Sequence, residues 1–283
     1  MSLHAAAEKV GRIEELDRLA GPAAKVVKQA VGKGALKDLL SGSWLGHPLH
    51  PLLTDVTIGA LTSATMLDVL APERGEGAAD VLVGIGVVSA LPTVAAGAAD
   101  WSDSYGEEMR TGVVHALSNA VGVGLYALSL RARRRGDRGT ARALGILGMT
   151  SMSIGGYLGG YLSHSRGVGV NHAFLEHPPQ DWTAVLDDAA LPEGTPTKVE
   201  AGGTSVLLHR RDGRVYAIAN TCTHAGGPLD EGSIDEESCT VTCPWHQSVF
   251  RLEDGSVVHG PAAVPQTAFD VRVEGGRIEI RQR

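Results

Sequence analysis

The chain is poor in cysteine. Its 283 residues contain three, Cys222, Cys239 and Cys243. Cys222 and Cys243 lie in a pattern typical of metal ligands, described below, which leaves no pair for a disulfide and fits a reducing compartment without requiring one. Cys239 has no partner and is expected to be a free thiol. The N-terminal sequence also lacks a cleavable signal peptide, so we expect any membrane insertion to begin at a later apolar segment.

Net charge is absent from most of the chain. Residues 1–179 contain 16 basic and 16 acidic side chains, whereas the remaining 104 residues contain nine basic and 16 acidic ones. The whole formal charge of −7 therefore belongs to the C-terminal part. An acidic domain of this kind predicts no nucleic-acid partner and favours association with a basic protein surface.

The stretch 222–249 holds two pairs of metal-binding side chains. Cys222 and His224 form CxH, and Cys243 and His246 form CxxH, each beside a glycine or proline that suits a tight loop. Two ferric ions and two sulfides carry a positive charge that two thiolates cancel, so such a site accepts an electron more easily than an all-cysteine site. A structural zinc site is the alternative, but it usually has CxxC or HxxxH pairs. The spacing favours the iron–sulfur cluster.

These residues resemble the ferredoxin-type Rieske [2Fe-2S] domain. The resemblance covers residues 181–283 and implies a small antiparallel β fold with two inserted ligand loops. It implies that Cys222, His224, Cys243 and His246 are the cluster ligands, with both histidines on one iron.

The surroundings of these ligands differ from those in quinol-oxidising complexes. Rieske domains of those complexes carry a disulfide-linked cysteine in each loop and a tyrosine after the second histidine. This chain has Gly227 and Trp245 at the cysteine positions and Phe250 near the tyrosine position. Ser248 keeps a hydroxyl, and Pro261 lies in a segment that resembles the loop shielding the cluster. We therefore expect Trp245, Ser248 and Pro261 around the cluster, and a potential in the lower part of the range of roughly −150 to +300 mV.

Short alternating segments follow residue 180, and they predict β-strands. The turns RRDGR, EDGS and EGGR contain glycine where a hairpin needs positive φ. The predicted strands are TKVEAG, TSVLLHR, RVYAIAN, CTVTC, SVFRLED, SVVHG, FDVRVEG and RIEIRQ.

Four stretches of low charge between Leu52 and Leu162 have about the length that crosses a hydrocarbon core. They are rich in small residues, which suit close helix packing in lipid. The alternative is a soluble four-helix bundle, whose outer faces should be polar, yet the third and fourth stretches have no charged residue over 111–130 and 143–162. GHPLHPLLTDVTIGAL and TGVVHALSNAVGVGLYALSL resemble a family of small bacterial multi-pass membrane proteins without an established activity, over residues 44–165.

Four spans would bring several histidines to one membrane face. His47 and His50 precede the first span, His115 lies about 6 Å inside the third, and His164 follows the fourth. These four residues predict a second redox site, which could be a b-type haem, a quinone pocket or a bound metal. The alternative is that the histidines only satisfy helix ends and lipid headgroups.

The sequence thus predicts an α+β protein in two domains, a four-helix transmembrane bundle and a small antiparallel β Rieske domain. An amphipathic segment, 1–43, comes first and forms two helices separated at Gly21 and Pro22. The bundle spans 44–165, and a linker, 166–180, leads to the Rieske domain at 181–283.

Four spans place both termini on one side of a bacterial cell membrane. The run RARRRGDR at 131–138 predicts that its loop is inside, which would put both termini outside. The seven basic residues before the first span, the missing signal and the ferredoxin-type cluster favour a cytoplasmic Rieske domain.

The predicted function is membrane-anchored transfer of single electrons through the cluster to or from a redox protein with a basic docking surface. One alternative is quinol oxidation at the membrane-face histidines with the cluster as acceptor. Another is a ferredoxin component of an oxygenase system, with the spans as a tether. No oxygenase, flavin or nicotinamide motif is present, so the chain is expected to be an electron carrier rather than a self-sufficient enzyme.

Overall fold

The computed structural model describes residues 2–283, which form two compact units. The helical unit contains residues 2–32 and Leu49–Val168, and the β unit contains Lys33–Pro48 and Gly169–Arg283. A helical N-terminal region and a β-rich C-terminal region were predicted and are confirmed. The structure divides the predicted N-terminal segment between the two units, and most of the predicted linker belongs to the β unit.

The N-terminal region forms three α-helices: α1 (Leu3–Gly11), α2 (Asp17–Val31) and α3 (Ala35–Ser41). The predicted helix break at Gly21 and Pro22 is wrong, because α2 passes through both residues. Pro22 lies in the second turn, where its missing N–H removes one backbone hydrogen bond without ending the helix. The break after α2 lies at Gly32 and Gly34 instead, whose φ values of 64° and 88° interrupt helical geometry.

Four long helices build the rest of the helical unit: α4 (Leu49–Leu70), α5 (Glu76–Trp101), α6 (Gly106–Arg134) and α7 (Arg138–Arg166). Helix α4 pairs with α5, and α6 pairs with α7. Helices α4, α5 and α6 are long and apolar enough to cross a membrane. Helix α7 does not meet the same criterion within the described chain, so three candidate spans are found where four were predicted.

The two helical hairpins repeat each other at fixed sequence offsets. Every buried position of α5 has a buried counterpart 62 residues later in α7, and four buried positions of α4 have counterparts 65 residues later in α6. The α5 and α7 positions are 79, 83, 86, 90, 93, 96 and 99 with 141, 145, 148, 152, 155, 158 and 161; those of α4 and α6 are 57, 61, 64 and 68 with 122, 126, 129 and 133. Identical residues occur at these offsets, including Gly86 with Gly148 and His50 with His115. Both hairpins therefore bury the same faces.

A buried ion-pair network lies where α4 and α6 end. The Arg133 side chain is 2% exposed, pairs with Asp68, and donates from a second nitrogen to Asp80 at 2.9 Å. Arg138 donates to the same Asp80 oxygen at 2.6 Å and contacts Glu76 at 2.5 Å. Two arginines of the basic run thus have carboxylate partners, and only residues 135–137 of that run are outside the helices.

The β unit consists of ten strands in three antiparallel sheets. The strands are β1 (Thr183–Asp187), β2 (Thr197–Ala201), β3 (Thr204–Arg211), β4 (Arg214–Ala219), β5 (Ser233–Asp235), β6 (Thr240–Thr242), β7 (Val249–Arg251), β8 (Val257–His259), β9 (Phe269–Glu274) and β10 (Arg277–Gln282). Their orders are β1-β10-β9, β2-β3-β4 and β5-β6-β7-β8. The eight predicted strands are confirmed, and β1 and β5 were missed.

The middle sheet is buried on both faces. On β3, Val206 and Leu208 enter a core shared with β9 and β10, while Leu207 enters a second core that contains Cys222 and Cys243. A strand with apolar residues on consecutive positions suits this double burial. The second core therefore forms the floor beneath the two ligand loops.

Candidate iron–sulfur site

The first ligand loop is closed by its own backbone. The Cys222 N–H donates to the Gly227 carbonyl at 2.9 Å, and the Gly226 N–H donates to the Cys222 carbonyl at 2.8 Å. Gly226 has a φ of 78°, which a glycine adopts without steric cost. This closure holds Cys222 and His224 in one tight turn.

The second loop repeats the same pattern. The Cys243 N–H donates to the Ser248 carbonyl at 2.8 Å, and the Gln247 N–H donates to the Cys243 carbonyl at 3.1 Å. Gln247 takes the place of Gly226 with a φ of 66°, which is strained for a residue with a side chain. Its side-chain amide donates to the Cys243 carbonyl at 3.3 Å and stabilises that turn. Sequence reasoning missed Gln247, since nothing in the motif identifies a left-handed residue there.

The four predicted ligands come together in the described structure. Cys222 and Cys243 are both 1% exposed, and their sulfurs are in hydrogen-bond contact. This contact raises the pKa of Cys222 above its ordinary value and lowers the pKa of Cys243 to about 6. The rings of His224 and His246 have centroids 4.7 Å apart at an angle of 81°. Two imidazoles on one tetrahedral metal require a separation of roughly 5 Å.

These side chains fit a Rieske-type cluster. The two thiols lie in the core, and the two imidazoles are partly exposed beside each other. One iron would take Cys222 and Cys243 as a pair of thiolates, and the outer iron would take His224 and His246. The donor set and its burial thus agree with the asymmetric ligation that the motif predicts.

Gly227 and Trp245 fill the positions where other Rieske domains have a disulfide. A Cβ on Gly227 would lie 2.9 Å from the Cys243 sulfur and 3.0 Å from Cγ of Trp245. The Trp245 ring, which is 54% exposed, therefore covers Gly227 directly. Sequence reasoning treated Gly227 only as a turn residue and did not detect this close packing.

A third loop, residues 260–265, is tied to both ligand loops. The buried Ser248 hydroxyl accepts from the Ala262 N–H at 3.0 Å. Thr223 donates its hydroxyl to the Val264 carbonyl at 2.7 Å. Pro261 lies in this loop, as predicted from the resemblance. The expected hydrogen bond from Ser248 to a cluster sulfur stays a prediction.

Gln266 is a buried residue that sequence reasoning missed. With its amide oxygen and nitrogen assigned from the hydrogen-bond network, it accepts from the Thr223 N–H at 3.0 Å and donates to the Thr221 carbonyl at 3.1 Å. The side chain is 3% exposed. It therefore fixes the first ligand loop from below.

The segment 33–48 contacts the same third loop from within the β unit. Asp38 accepts from the Gly260 N–H at 2.7 Å and pairs with Nδ1 of His259 at 2.9 Å. Lys33 donates to the Gln247 side chain at 3.2 Å. The contacts join residues about 220 positions apart, so no local pattern could predict them.

The predicted membrane-face histidines differ in their surroundings. His50 and His115 have ring centroids 6.4 Å apart. His47 is exposed and bonds through Nδ1 to its neighbour, the Pro48 carbonyl, at 2.8 Å, and His164 is exposed near the end of α7. Within residues 2–283, no three or more His, Cys, Asp or Glu side chains form a group that could hold a metal ion.

His115 lies deeper in its helix than predicted. Helix α6 begins at Gly106, five residues before the predicted start of the third span, because Glu107 and Glu108 form a helical first turn. His115 is therefore nine residues, or about 13 Å, from the helix start.

Two buried thiols beside two imidazoles, on loops that close in the same way, define an iron–sulfur electron-transfer protein. Residues 181–271 match the family model described as Rieske [2Fe-2S] domain. The chain belongs to the Rieske [2Fe-2S] family, here joined to residues 46–172 that match the model described as Predicted membrane protein (DUF2231). The predicted fusion and its cluster are confirmed. These matches do not extend to haem or quinone.

Similar proteins are known by sequence and by structure. The 3-phenylpropionate/cinnamic acid dioxygenase ferredoxin subunit of Escherichia coli (strain K12) is 35% identical over 92 residues, which are 32% of this chain and 85% of that protein. The ferredoxin of carbazole 1,9a-dioxygenase from Nocardioides aromaticivorans IC177 is 33% identical, with a TM-score of 0.35 over 37% of this chain and 100% of that one. The protein is thus an electron-transfer Rieske protein with a membrane domain.

Proposed function

We propose that Cys222, His224, Cys243 and His246 hold the cluster and that it passes single electrons to or from a separate redox protein. The observation that carries this proposal is the pair of identically closed loops, which bring two buried thiols and two adjoining imidazoles together. When bound, the cluster supplies one-electron chemistry. The helical unit anchors the carrier in the membrane.

The chain's own residues would orient and shield the cluster. Both thiolates approach from the core and neutralise its charge, while the two imidazoles form the edge nearest solvent. Ser248 and Thr223 hold the third loop over the site, where Ala262 is 1% exposed. This loop would exclude water from one side and leave the imidazole edge for a docking partner.

The partner that fits best is a protein with a basic docking surface. All the net negative charge belongs to the C-terminal part of the chain, and charge complementarity raises association rates at low salt. The relatives named above are ferredoxin subunits of dioxygenases, which supports an oxygenase-type partner. Stopped-flow reduction of a basic partner should slow as ionic strength rises; a rate independent of salt would contradict electrostatic docking.

Helix α7 is proposed as a fourth span. It has 29 residues, as α6 has, and it repeats the burial pattern of α5. Four spans would leave both ends of the chain in the cytoplasm. Because Arg133 and Arg138 pair with acidic residues, the basic run is a weaker orientation signal than its sequence suggests. Reporters fused to both ends should be active on the cytoplasmic side, and opposite results at the two ends would exclude four spans.

Spectroscopy of the purified full-length protein tests the cluster. The reduced protein should give a Rieske-type EPR signal with two irons per chain. Cys243→Ser should abolish the signal and the bound iron, because a ligand is lost. Cys239→Ser is the matched control, since Cys239 is equally buried but outside the loops, and it should keep both. Unchanged iron in Cys243→Ser would overturn the ligand assignment.

A quinol or haem-linked oxidoreductase is the second candidate, favoured by the approach of His50 to His115. In this version the helical unit supplies electrons to the cluster. Adding a quinol to protein in detergent should then reduce the cluster without another protein. A cluster that stays oxidised would exclude quinol oxidation by this chain alone.

A further inference from the structure

His50 and His115 are anchored in the same way on two different helices. Nδ1 of His50 bonds to the Thr93 carbonyl of α5 at 2.9 Å, and Nδ1 of His115 bonds to the Gly155 carbonyl of α7 at 2.7 Å. A carbonyl oxygen can only accept, so Nδ1 carries the proton in both rings. In a neutral imidazole, Nε2 then keeps its lone pair. This is the arrangement by which proteins orient metal-bound histidines.

Each ring also lies in a notch made by a glycine one turn further along the accepting helix. A Cβ on Gly97 would lie 2.6 Å from Cε1 of His50, and a Cβ on Gly159 would lie 2.9 Å from Cε1 of His115. The two histidines are 65 residues apart, and both the carbonyl residues and the glycines are 62 apart. The whole anchoring device is therefore present twice, once in each hairpin.

The distance between the rings fits one metal bound by both. Their centroids are 6.4 Å apart, with the ring planes at 83°. A metal bound at an imidazole nitrogen lies about 3 Å from the ring centroid, so two opposite imidazoles place their centroids about 6 Å apart. The Asn119 amide nitrogen is 3.4 Å from both ring nitrogens of His115, so it lies off the axis of the Nε2 lone pair.

The number of ligands decides the kind of metal. Within residues 2–283, no third His, Cys, Asp or Glu joins the two histidines in a metal-binding group. A porphyrin supplies four nitrogens of its own, and two histidines complete the iron's coordination. We propose that His50 and His115 are the axial ligands of a b-type haem in the helical unit. His47 and His164 lack the carbonyl and glycine partners and are not ligands. This site does not depend on the proposed role of the cluster.

The haem content of the full-length protein tests the proposal. Protein purified in detergent from haem-supplied cells, or titrated with haemin, should bind one haem per chain by the pyridine haemochrome assay. Its EPR spectrum should be low-spin, because both axial positions carry imidazole. Absence of haem binding under both conditions would overturn the proposal. So would stoichiometric binding of copper or zinc without porphyrin.

Variants distinguish ligation from folding. His115→Gly and His50→Gly should each convert the haem from low-spin to high-spin and lower its affinity at least about tenfold. Added free imidazole should restore the low-spin spectrum in the cavity that each variant leaves. His47→Ala and His164→Ala are the matched controls and should keep the wild-type spectrum. A low-spin spectrum retained in the double variant of His50 and His115 would overturn the assignment, and the EPR signal of the cluster reports whether each variant is folded.

Discussion

The two units bring histidine pairs together by different means. In the β unit, His224 and His246 are 22 residues apart and lie on loops closed by their own backbone, with rings 4.7 Å apart. In the helical unit, His50 and His115 are 65 residues apart and are oriented by carbonyls of two other helices. The first pair can be recognised from spacing because its loops are local. The second pair becomes visible only when the packing of the hairpins is known.

The largest effect is expected where the helical unit depends on a buried charge pair. Arg133→Met leaves Asp68, which is 7% exposed, without its partner. Removing one partner of a buried pair costs roughly 3–5 kcal/mol. Unfolding of the full-length protein in detergent should therefore shift strongly. Arg138→Met is the control, since that side chain is 31% exposed and should cost much less. Equal shifts for both variants would contradict the burial argument.

A smaller effect is expected from overpacking beside the cluster. Gly227→Ala places a Cβ 2.9 Å from the Cys243 sulfur and should cost roughly 1–3 kcal/mol and lower the iron content. Adding Trp245→Ala relieves one of the two contacts and should restore part of the iron. Gly59→Ala in α4 is the contrasting control, because nothing lies within 4 Å of its Cβ position. If Gly227→Ala keeps full iron content, the contact does not limit cluster binding.

The segment 33–48 provides a further test of how the β unit is assembled. Asp38→Ala removes the acceptor of the Gly260 N–H and should cost roughly 1–3 kcal/mol locally. Hydrogen exchange at residues 260–265 should accelerate, and a chelator should remove iron faster. Asp187→Ala is the control, since that carboxylate is 77% exposed and remote in the sheet. Unchanged exchange would show that the third loop is held without the segment.

The smallest effect concerns Glu176 in the β unit. Partial burial raises the pKa of Glu176, with the Thr221 contact opposing the shift. A raised folded-state pKa means that the ionised carboxylate destabilises the fold above that pKa, and stability is regained as pH falls through it. Glu176→Gln should therefore stabilise the protein at pH 7 by about 0.5 kcal/mol, after allowance for solvent screening. The gain should vanish near pH 4; a gain independent of pH would contradict titration as its cause.

The sequence predicted features that depend on neighbouring residues. The hairpin between β3 and β4 follows from Asp212 and Gly213, whose φ values of 50° and 75° match the expected turn. The short strand β5 was missed because only three residues form it. The run through Pro22 was misjudged, since a proline near a helix start removes one hydrogen bond and does not change the chain direction.

Features that depend on distant residues could not be predicted in this way. The contact of Asp38 with the third loop joins opposite ends of the chain. The repeated hairpins have few identical residues, and their similarity lies in which positions are buried. Hydropathy does not separate these positions because both buried and lipid-facing residues of such helices are apolar. The histidine pair was predicted as part of a larger group of four, and packing selects two of them.

The Asp68–Arg133 pair has a consequence for how the two hairpins recognise each other. These residues occupy equivalent positions of the two repeats, 65 residues apart. A symmetric dimer of identical hairpins would place aspartate against aspartate or arginine against arginine there, and like charges would oppose association. Two copies in one chain can differ at that position and attract. The ion pair therefore makes each half of the bundle specific for the other half, and it disfavours exchange of hairpins between neighbouring molecules in the membrane.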